Sequence, residues 1–298
     1  MPVLHHGEEE AEHRILRSLR LSVEFALIIL LIEAAGAFLS RSLSLTVDAV
    51  HNVPDILAFA ISWTALRGTK VGASSEFTYG THRLEVFAGL LNGILVLGTG
   101  VGFGYEAVGA LVHSMPFAGP IAPVWLLLAA VPTLGLRLVN LRALGRLPGR
   151  VRDLNLRSVL VHVASDVGIT AVLLITGITI LLRSTFGWVD SAGALVIAGI
   201  LVYESIPLLR GGWEVLTEQT PQGLSVESIT QAARQVPGVS DVHDVHVWAV
   251  CSSLVCLTAH VEVPEMPLRE SMSIVRQLRE RMEKDFGIVH ATFEVEVH

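Results

Sequence analysis

Charged residues are scarce in this chain of 298 residues, at 16% of the total, and only two cysteines occur, Cys251 and Cys256. So few cysteines exclude a small fold held together by disulfides. Hydrophobic residues instead make up 51%, which is more apolar than an ordinary soluble domain. The first residues, MPVLHHGEEEAEHR, lack the basic start of a cleaved signal peptide, so we expect this His- and Glu-rich segment to be retained.

Six apolar segments are long enough to cross a bilayer as helices. They lie at about residues 21–39, 45–66, 84–111, 123–141, 159–182 and 189–208. Basic residues concentrate before the first segment and in the second and fourth connections, whereas the first, third and fifth connections hold only Arg41 and Arg183. The positive-inside rule therefore predicts that both termini lie in the cytoplasm. We expect a multi-pass protein of the cell membrane, namely a bacterial inner membrane.

The chain divides by composition into a tail of residues 1–20, a membrane domain of 21–210 and a polar domain of 213–298. The last part has thirteen Asp and Glu against six Lys and Arg, a difference of −7. This acidic balance, with five histidines, suits cation handling and argues against nucleic-acid binding.

Hydrophobic periodicity predicts the order α-β-β-α-β in the polar domain. The expected helices are 226–236 and 268–286, and the expected strands are 242–250, 257–263 and 293–297. Two helices would then cover one face of a three-stranded sheet. About 85 residues can form a modest core, which a dimer would reinforce.

The pattern His-x-x-x-Asp occurs twice inside predicted membrane helices, as His51 with Asp55 and as His162 with Asp166. A four-residue step returns to nearly the same helix face, and ionisable residues in a bilayer usually face a protein interior or a water-filled path. Two imidazoles and two carboxylates meeting there would suit Zn²⁺. The duplicated motif therefore predicts an intramembrane zinc site and transport.

Other interpretations of the two motifs remain open at this point. They could be polar pairs that join helices. An intramembrane metallohydrolase would need an open coordination position and a general base, and the motifs HExxH and GxSxG are missing from the sequence. The other alternative is a membrane protein that senses metal without transporting it, which a measurement of Zn²⁺ flux in sealed vesicles would distinguish.

The residues around these motifs resemble the cation diffusion facilitator family, in its zinc-transporting branch. The resemblance covers nearly all of the chain from Glu33 onward. The matching stretches are SLSLTVDAVHNVPDIL, TYGTHRLEVFAGLLNG, NLRSVLVHVASDVG, WVDSAGALVIAGILVYES, EVLTEQTP and VHDVHVW with LTAHVEV.

This resemblance implies six transmembrane helices, a cytoplasmic metallochaperone-like domain, a homodimer in lipid, and export of Zn²⁺ in exchange for protons. The family's transport ligands match His51, Asp55, His162 and Asp166. Its cytoplasmic metal ligands match the three residues His243, His260 and Glu294, with Glu296 as an addition. Other divalent ions such as Cd²⁺, Co²⁺, Fe²⁺ or Mn²⁺ remain alternative substrates.

Two positions depart from what the family pattern leads us to expect. Pro54 lies between His51 and Asp55, where it removes a helix hydrogen bond and favours a kink. Ser271 stands where some relatives carry a further ligand, so the resemblance implies a cytoplasmic site with fewer ligands and a single metal.

Overall fold

A computed structural model describes residues 23–68, 75, 77–113, 119–145, 154–252 and 254–297. Within these ranges, the side chains of residues 55, 58–68, 144 and 154–159 lie outside the described set. The predicted His-rich segment of residues 1–20 lies outside the described residues as well.

Each of the six expected spans corresponds to a helix. These helices are α1 (Val23–Ser40), α2 (Leu43–Gly68), α3 (Arg83–His113), α4 (Pro123–Gly145), α5 (Leu154–Leu182) and α6 (Trp188–Leu216), with a short 3₁₀ turn at Ser184–Phe186. Among the described residues, five helices are apolar and long enough to cross a membrane, namely all but α2. Helix α2 carries Asp48, His51 and Asn52 on buried positions, which lowers its hydropathy, but its 26 residues still extend about 39 Å.

The chain forms two compact units, and the first contains the described residues of Met1–Trp63 and Leu91–Pro207. Its core is built from side chains of α2 to α6, including Leu45, Val96, Leu126, Leu173 and Ile197. Small residues let the helices approach closely: a Cβ added to Gly36 of α1 would lie 2.4 Å from the Cβ of Ala129 in α4. Such contacts are typical of helix association in membranes.

The start of α2 is held by a carboxylate of α6. Asp190 accepts hydrogen bonds from the hydroxyls of Ser42 and Ser44, each at 2.5 Å, and from the backbone N–H of Leu43 at 2.6 Å. The first N–H groups of a helix lack partners within the helix, and a carboxylate there satisfies them and complements the helix dipole. Asp190 therefore sets where α2 begins relative to α6.

The second unit contains the described residues of Thr64–Leu90 and Leu208–His298. Its sheet has the order β1-β2-β3, with β1 (Asp241–Cys251) antiparallel to β2 (Leu254–Val263) and β3 (His290–Val297) parallel to β2. Helices α7 (Val226–Arg234) and α8 (Leu268–Phe286) bury Ile229, Leu278 and Met282 in the core they share with the sheet. The predicted membrane α-helical fold with an αββαβ domain is confirmed.

Strand β1 contains a bulge that strict alternation of side chains could not predict. The pairing shifts between His243 and His246, and Asp244 between them has a φ of 50°. One extra residue in a strand moves every later side chain to the other face. As a result His243, paired with His260, and His246, paired with Thr258, face the same side of the sheet.

The second unit also includes the connection between α2 and α3. In this unit, Cys251 Sγ lies 3.5 Å from His82 Nδ1, Ser252 donates to Glu85 at 2.6 Å, and the rings of Tyr79 and His290 are 5.4 Å apart. Cys251 and Cys256 are buried and do not form a disulfide with each other. The β1–β2 turn is therefore bound by side chains that precede or begin α3.

Candidate metal centre

The first candidate centre joins α2 and α5. His51 is fully buried, its Nε2 lies 3.7 Å from Asp166 Oδ1, and its ring centroid is 5.9 Å from that of His162. One ligand atom from each of His51, His162 and Asp166 lies within 4.8 Å of the others. Two nitrogens and one oxygen at this spacing can surround a single small cation.

The fourth predicted ligand, Asp55, lies in α2 one turn after His51, and its side chain lies outside the described residues. Pro54 is inside the same helix and is buried. The i, i+4 spacing places residues 51 and 55 on one helix face, so membership of Asp55 in the centre stays a prediction.

A network of buried charges lies beside this centre. Arg137 of α4 is 2% exposed and binds both carboxylate oxygens of Asp48, at 3.0 and 3.2 Å. It also lies 3.3 Å from Glu33 and donates to the backbone carbonyl of Asp166 at 2.9 Å. Asn52 donates to Glu33 at 2.5 Å. Arg137 thus links Asp48 of α2 to the backbone of α5 at Asp166.

A further carboxylate, Glu204 of α6, lies at the edge of the centre. Its Oε2 is 3.9 Å from His162 Nδ1, and its side chain is 14% exposed. The sequence analysis assigned no role to three charged residues with little exposure: Arg137, Asp190 and Glu204. Each is an ionisable residue inside a predicted span, which is the signal that could have found them.

The second candidate centre lies on the polar face of the sheet in the second unit. His243, His260 and Glu296 bring ligand atoms within 4.8 Å of one another. Glu296 lies 3.3 Å from His243 Nε2 and 2.8 Å from His260 Nδ1, and the two imidazole rings are 5.4 Å apart. The pairing of His243 with His260 across the strands produces this cluster.

The predicted ligand Glu294 lies at the margin of the second centre. Its Oε2 is 3.8 Å from His260 Nε2, and Glu296 rather than Glu294 bridges the two histidines. The hydrogen bond to Glu296 raises the pKa of His260 above the ordinary value of an imidazole, and the charges of Glu294 and Asp244 act in the same direction.

A partly buried cluster of side chains that can bind metal, between apolar helices, together with a small α/β domain, is typical of an integral membrane protein that handles metal ions. Comparison with known protein families identifies the family to which the chain belongs. The model of the cation efflux transmembrane domain matches residues 19–217, and that of the cation efflux protein cytoplasmic domain matches residues 221–298. The chain belongs to the cation efflux family, also called the cation diffusion facilitators.

Curated relatives cover most of the chain. It is 30% identical to the metal cation efflux system protein CzcD of Cupriavidus metallidurans, over 94% of this chain and 86% of that one. It is 28% identical to the cadmium, cobalt and zinc/H(+)-K(+) antiporter of Bacillus velezensis, over 90% and 84% of the two chains. It is 27% identical to the zinc transporter ZitB of Escherichia coli, over 98% and 90%. The protein is thus a multi-pass metal cation efflux transporter, and it is not an enzyme.

Proposed function

We propose that this protein exports Zn²⁺ from the cytoplasm in exchange for protons, and that His51, Asp55, His162 and Asp166 bind the transported ion. The observation that carries the proposal is the convergence of His51, His162 and Asp166 within 4.8 Å between two helices. The name of the similar protein ZitB supports zinc as the substrate.

The charges of the proposed site suit a divalent cation. Asp55 and Asp166 together cancel the two charges of Zn²⁺, which makes burial of the loaded site tolerable because an ion is stable in a low-dielectric region only when it is compensated. Imidazole nitrogens favour Zn²⁺ over hard ions such as Mg²⁺ and Ca²⁺. The four side chains therefore combine neutralisation with selectivity.

Proton exchange follows from the chemistry of the ligands. Imidazoles and carboxylates bind metal only when they are deprotonated, so zinc and protons compete at the same atoms. A site that faces the cytoplasm takes up zinc and releases protons, and a site that faces outward is emptied by protons. The antiporter name of a similar protein supports this coupling.

The polar domain of residues 213–298 is the proposed regulatory part. Its cluster of His243, His260 and Glu296, with Glu294 at the margin, would bind Zn²⁺ from the cytoplasm and favour one arrangement of a homodimer. This requires that both termini lie in the cytoplasm, as the distribution of basic residues indicates.

A broader range of divalent cations is the second candidate function. A similar protein is named for cadmium and cobalt as well as zinc, and the ligand preferences of these ions overlap. Uptake of each ion into proteoliposomes, with and without an imposed pH gradient, separates a zinc exporter from a broad exporter. A membrane sensor would show no flux.

Asp166→Asn tests the site itself. We expect this variant to lose nearly all zinc flux in proteoliposomes, because an amide removes one of the charges that neutralise the ion and is a poor zinc ligand. Ile175→Ala, on the same helix at a position 64% exposed, serves as the control and should transport normally. Zinc flux of Asp166→Asn close to that of the unmodified protein would show that the ion passes elsewhere.

A further inference from the structure

Glu204 differs from Glu33, Asp48 and Asp190, three other acidic residues of the first unit, in what surrounds it. Asp48 and Glu33 have the guanidinium of Arg137, and Asp190 has hydroxyl and amide donors. Neither carboxylate oxygen of Glu204 reaches hydrogen-bonding geometry with a donor in the described part of the chain, although both are buried. Its polar neighbours are Ser165, His162 and Asp166 of α5 and His51 of α2.

A buried carboxylate without a strong partner is unfavourable, so its position needs a reason. The imidazole of His162 lies near Glu204, with Nδ1 at 3.9 Å from the carboxylate. With Nδ1 directed to Glu204, the other ring nitrogen, Nε2, is the one that would bind a metal. Histidines that bind metals usually donate the N–H of the second nitrogen to a carboxylate, which fixes the orientation of the ring.

We propose that Glu204 is a positioning residue of the transport site, which accepts a hydrogen bond from His162 Nδ1 and directs Nε2 toward the transported ion. The distance of 3.9 Å is longer than a hydrogen bond by about 1 Å, so the contact forms when the ring turns to bind the metal. This inference rests on the proposed function of His162 as a ligand. It gives α6 a part in a site otherwise built from α2 and α5.

The test compares Glu204→Leu with Glu204→Gln. Leucine removes the acceptor, whereas glutamine keeps an oxygen that can accept the N–H of His162 but removes the charge. Zinc binding is measured on the full-length protein in detergent, in a background of His243→Ala and His260→Ala that removes the cluster of the second unit. Tyr203→Leu, at a neighbouring position 73% exposed, is the matched control.

We expect Glu204→Leu to weaken zinc binding about 10- to 100-fold, the usual effect of losing such a partner. Transport should show a raised KM with a smaller change in the maximal rate. Glu204→Gln should remain within about 3-fold of the background protein, because positioning needs an acceptor and not a charge. A structural role alone would not separate the two variants in this way.

Three outcomes distinguish failure of this inference from failure of the proposed function. Glu204→Leu with unchanged zinc affinity overturns the positioning role. Glu204→Gln as weak as Glu204→Leu also overturns it, because the charge or a direct bond to the ion would then be what matters. If Asp166→Asn in the same background binds zinc normally, the proposed site itself is wrong, whatever the Glu204 variants do.

Discussion

At the scale of single residues, Arg137 shows how the helices around the candidate site are held together. Its guanidinium binds Asp48 of α2, contacts Glu33 of α1 and donates to the backbone of Asp166 in α5. A planar group with five donors can bind a carboxylate through two atoms and still reach other partners. Arg137 therefore holds α1, α2 and α5 in position relative to α4, beside the proposed metal ligands.

We predict that Arg137→Met lowers stability by about 3–5 kcal/mol, because it leaves two carboxylates buried without their cation. The melting temperature of the purified protein in detergent should fall. Arg142→Met, an exposed position of the same helix, should leave it nearly unchanged.

Neutralising the acids gives the complementary measurement for Arg137. Adding Glu33→Gln and Asp48→Asn to Arg137→Met should recover much of the lost stability, since replacement of a whole buried ionic group is often neutral. An Arg137→Met protein that melts like the unmodified one would mean that the network contributes little.

At the scale of elements, close approach of helices determines which residues can face the site. Helices α1 and α4 meet where Gly36 lies against Ala129. An added Cβ at residue 36 would lie 2.4 Å from the Cβ of Ala129 and 3.0 Å from a methyl group of Leu45. The Cβ of Ala129 cannot rotate away, so the helices themselves would have to move apart.

Gly36→Ala should therefore destabilise the protein by about 1–3 kcal/mol, as overpacking does, although alanine is the better helix former. Gly98→Ala is the matched control, because an added Cβ there meets no atom within 4 Å. Thermal unfolding in detergent measures both variants. Combining Gly36→Ala with Ala129→Gly should restore most of the loss, and equal stability of the two single variants would contradict this account of the helix contact.

At the scale of the whole molecule, the second unit combines a self-contained core with a charged, exposed sheet face. The buried residues of that core all lie between Ile229 and Phe293, so residues 213–298 carry their own hydrophobic core. On the polar face, the hydrogen bond that His260 donates to Glu296 raises the pKa of His260. Protons and metal ions therefore compete for the same side chains.

We predict that zinc stabilises the fragment 213–298 near pH 7.5 and raises its melting temperature. The gain in free energy of unfolding should be about 2.7 kcal/mol at a hundredfold excess of zinc over Kd. The shift should shrink toward pH 5.5, because zinc needs deprotonated imidazoles. Without metal, the stability of the fragment should instead be greater at low pH. The raised pKa of His260 adds stability that is complete below its unfolded pKa and is lost as pH rises through the folded pKa.

His260→Gln should abolish most of the zinc-induced rise in melting temperature. It should also remove the pH dependence of stability that His260 causes in the absence of metal. His290→Gln, which belongs to none of the candidate metal-ligand groups, is the control. A melting curve that saturating zinc does not change at pH 7.5 would exclude a metal site on this sheet face.

Much of the fold could be predicted from the sequence because its signals are local. Hydropathy over a window of residues gave the six spans, and α8 at Leu268–Phe286 has the bounds that periodicity predicts. The first half of strand β1 could not be predicted in the same way. The bulge at Asp244 depends on the pairing with β2, and the alternation of residues along β1 does not reveal it.

What the sequence by itself determined is the class of the protein and the chemical types of its ligands: apolar spans, two His-x-x-x-Asp motifs and an acidic domain. Only the tertiary structure decided which charged groups meet. Glu204 comes to His162, Arg137 to Asp48, and Glu296 to both His243 and His260. These partners are distant in the sequence, and their contacts depend on how each helix is rotated and where each strand is shifted, which packing of the whole core sets.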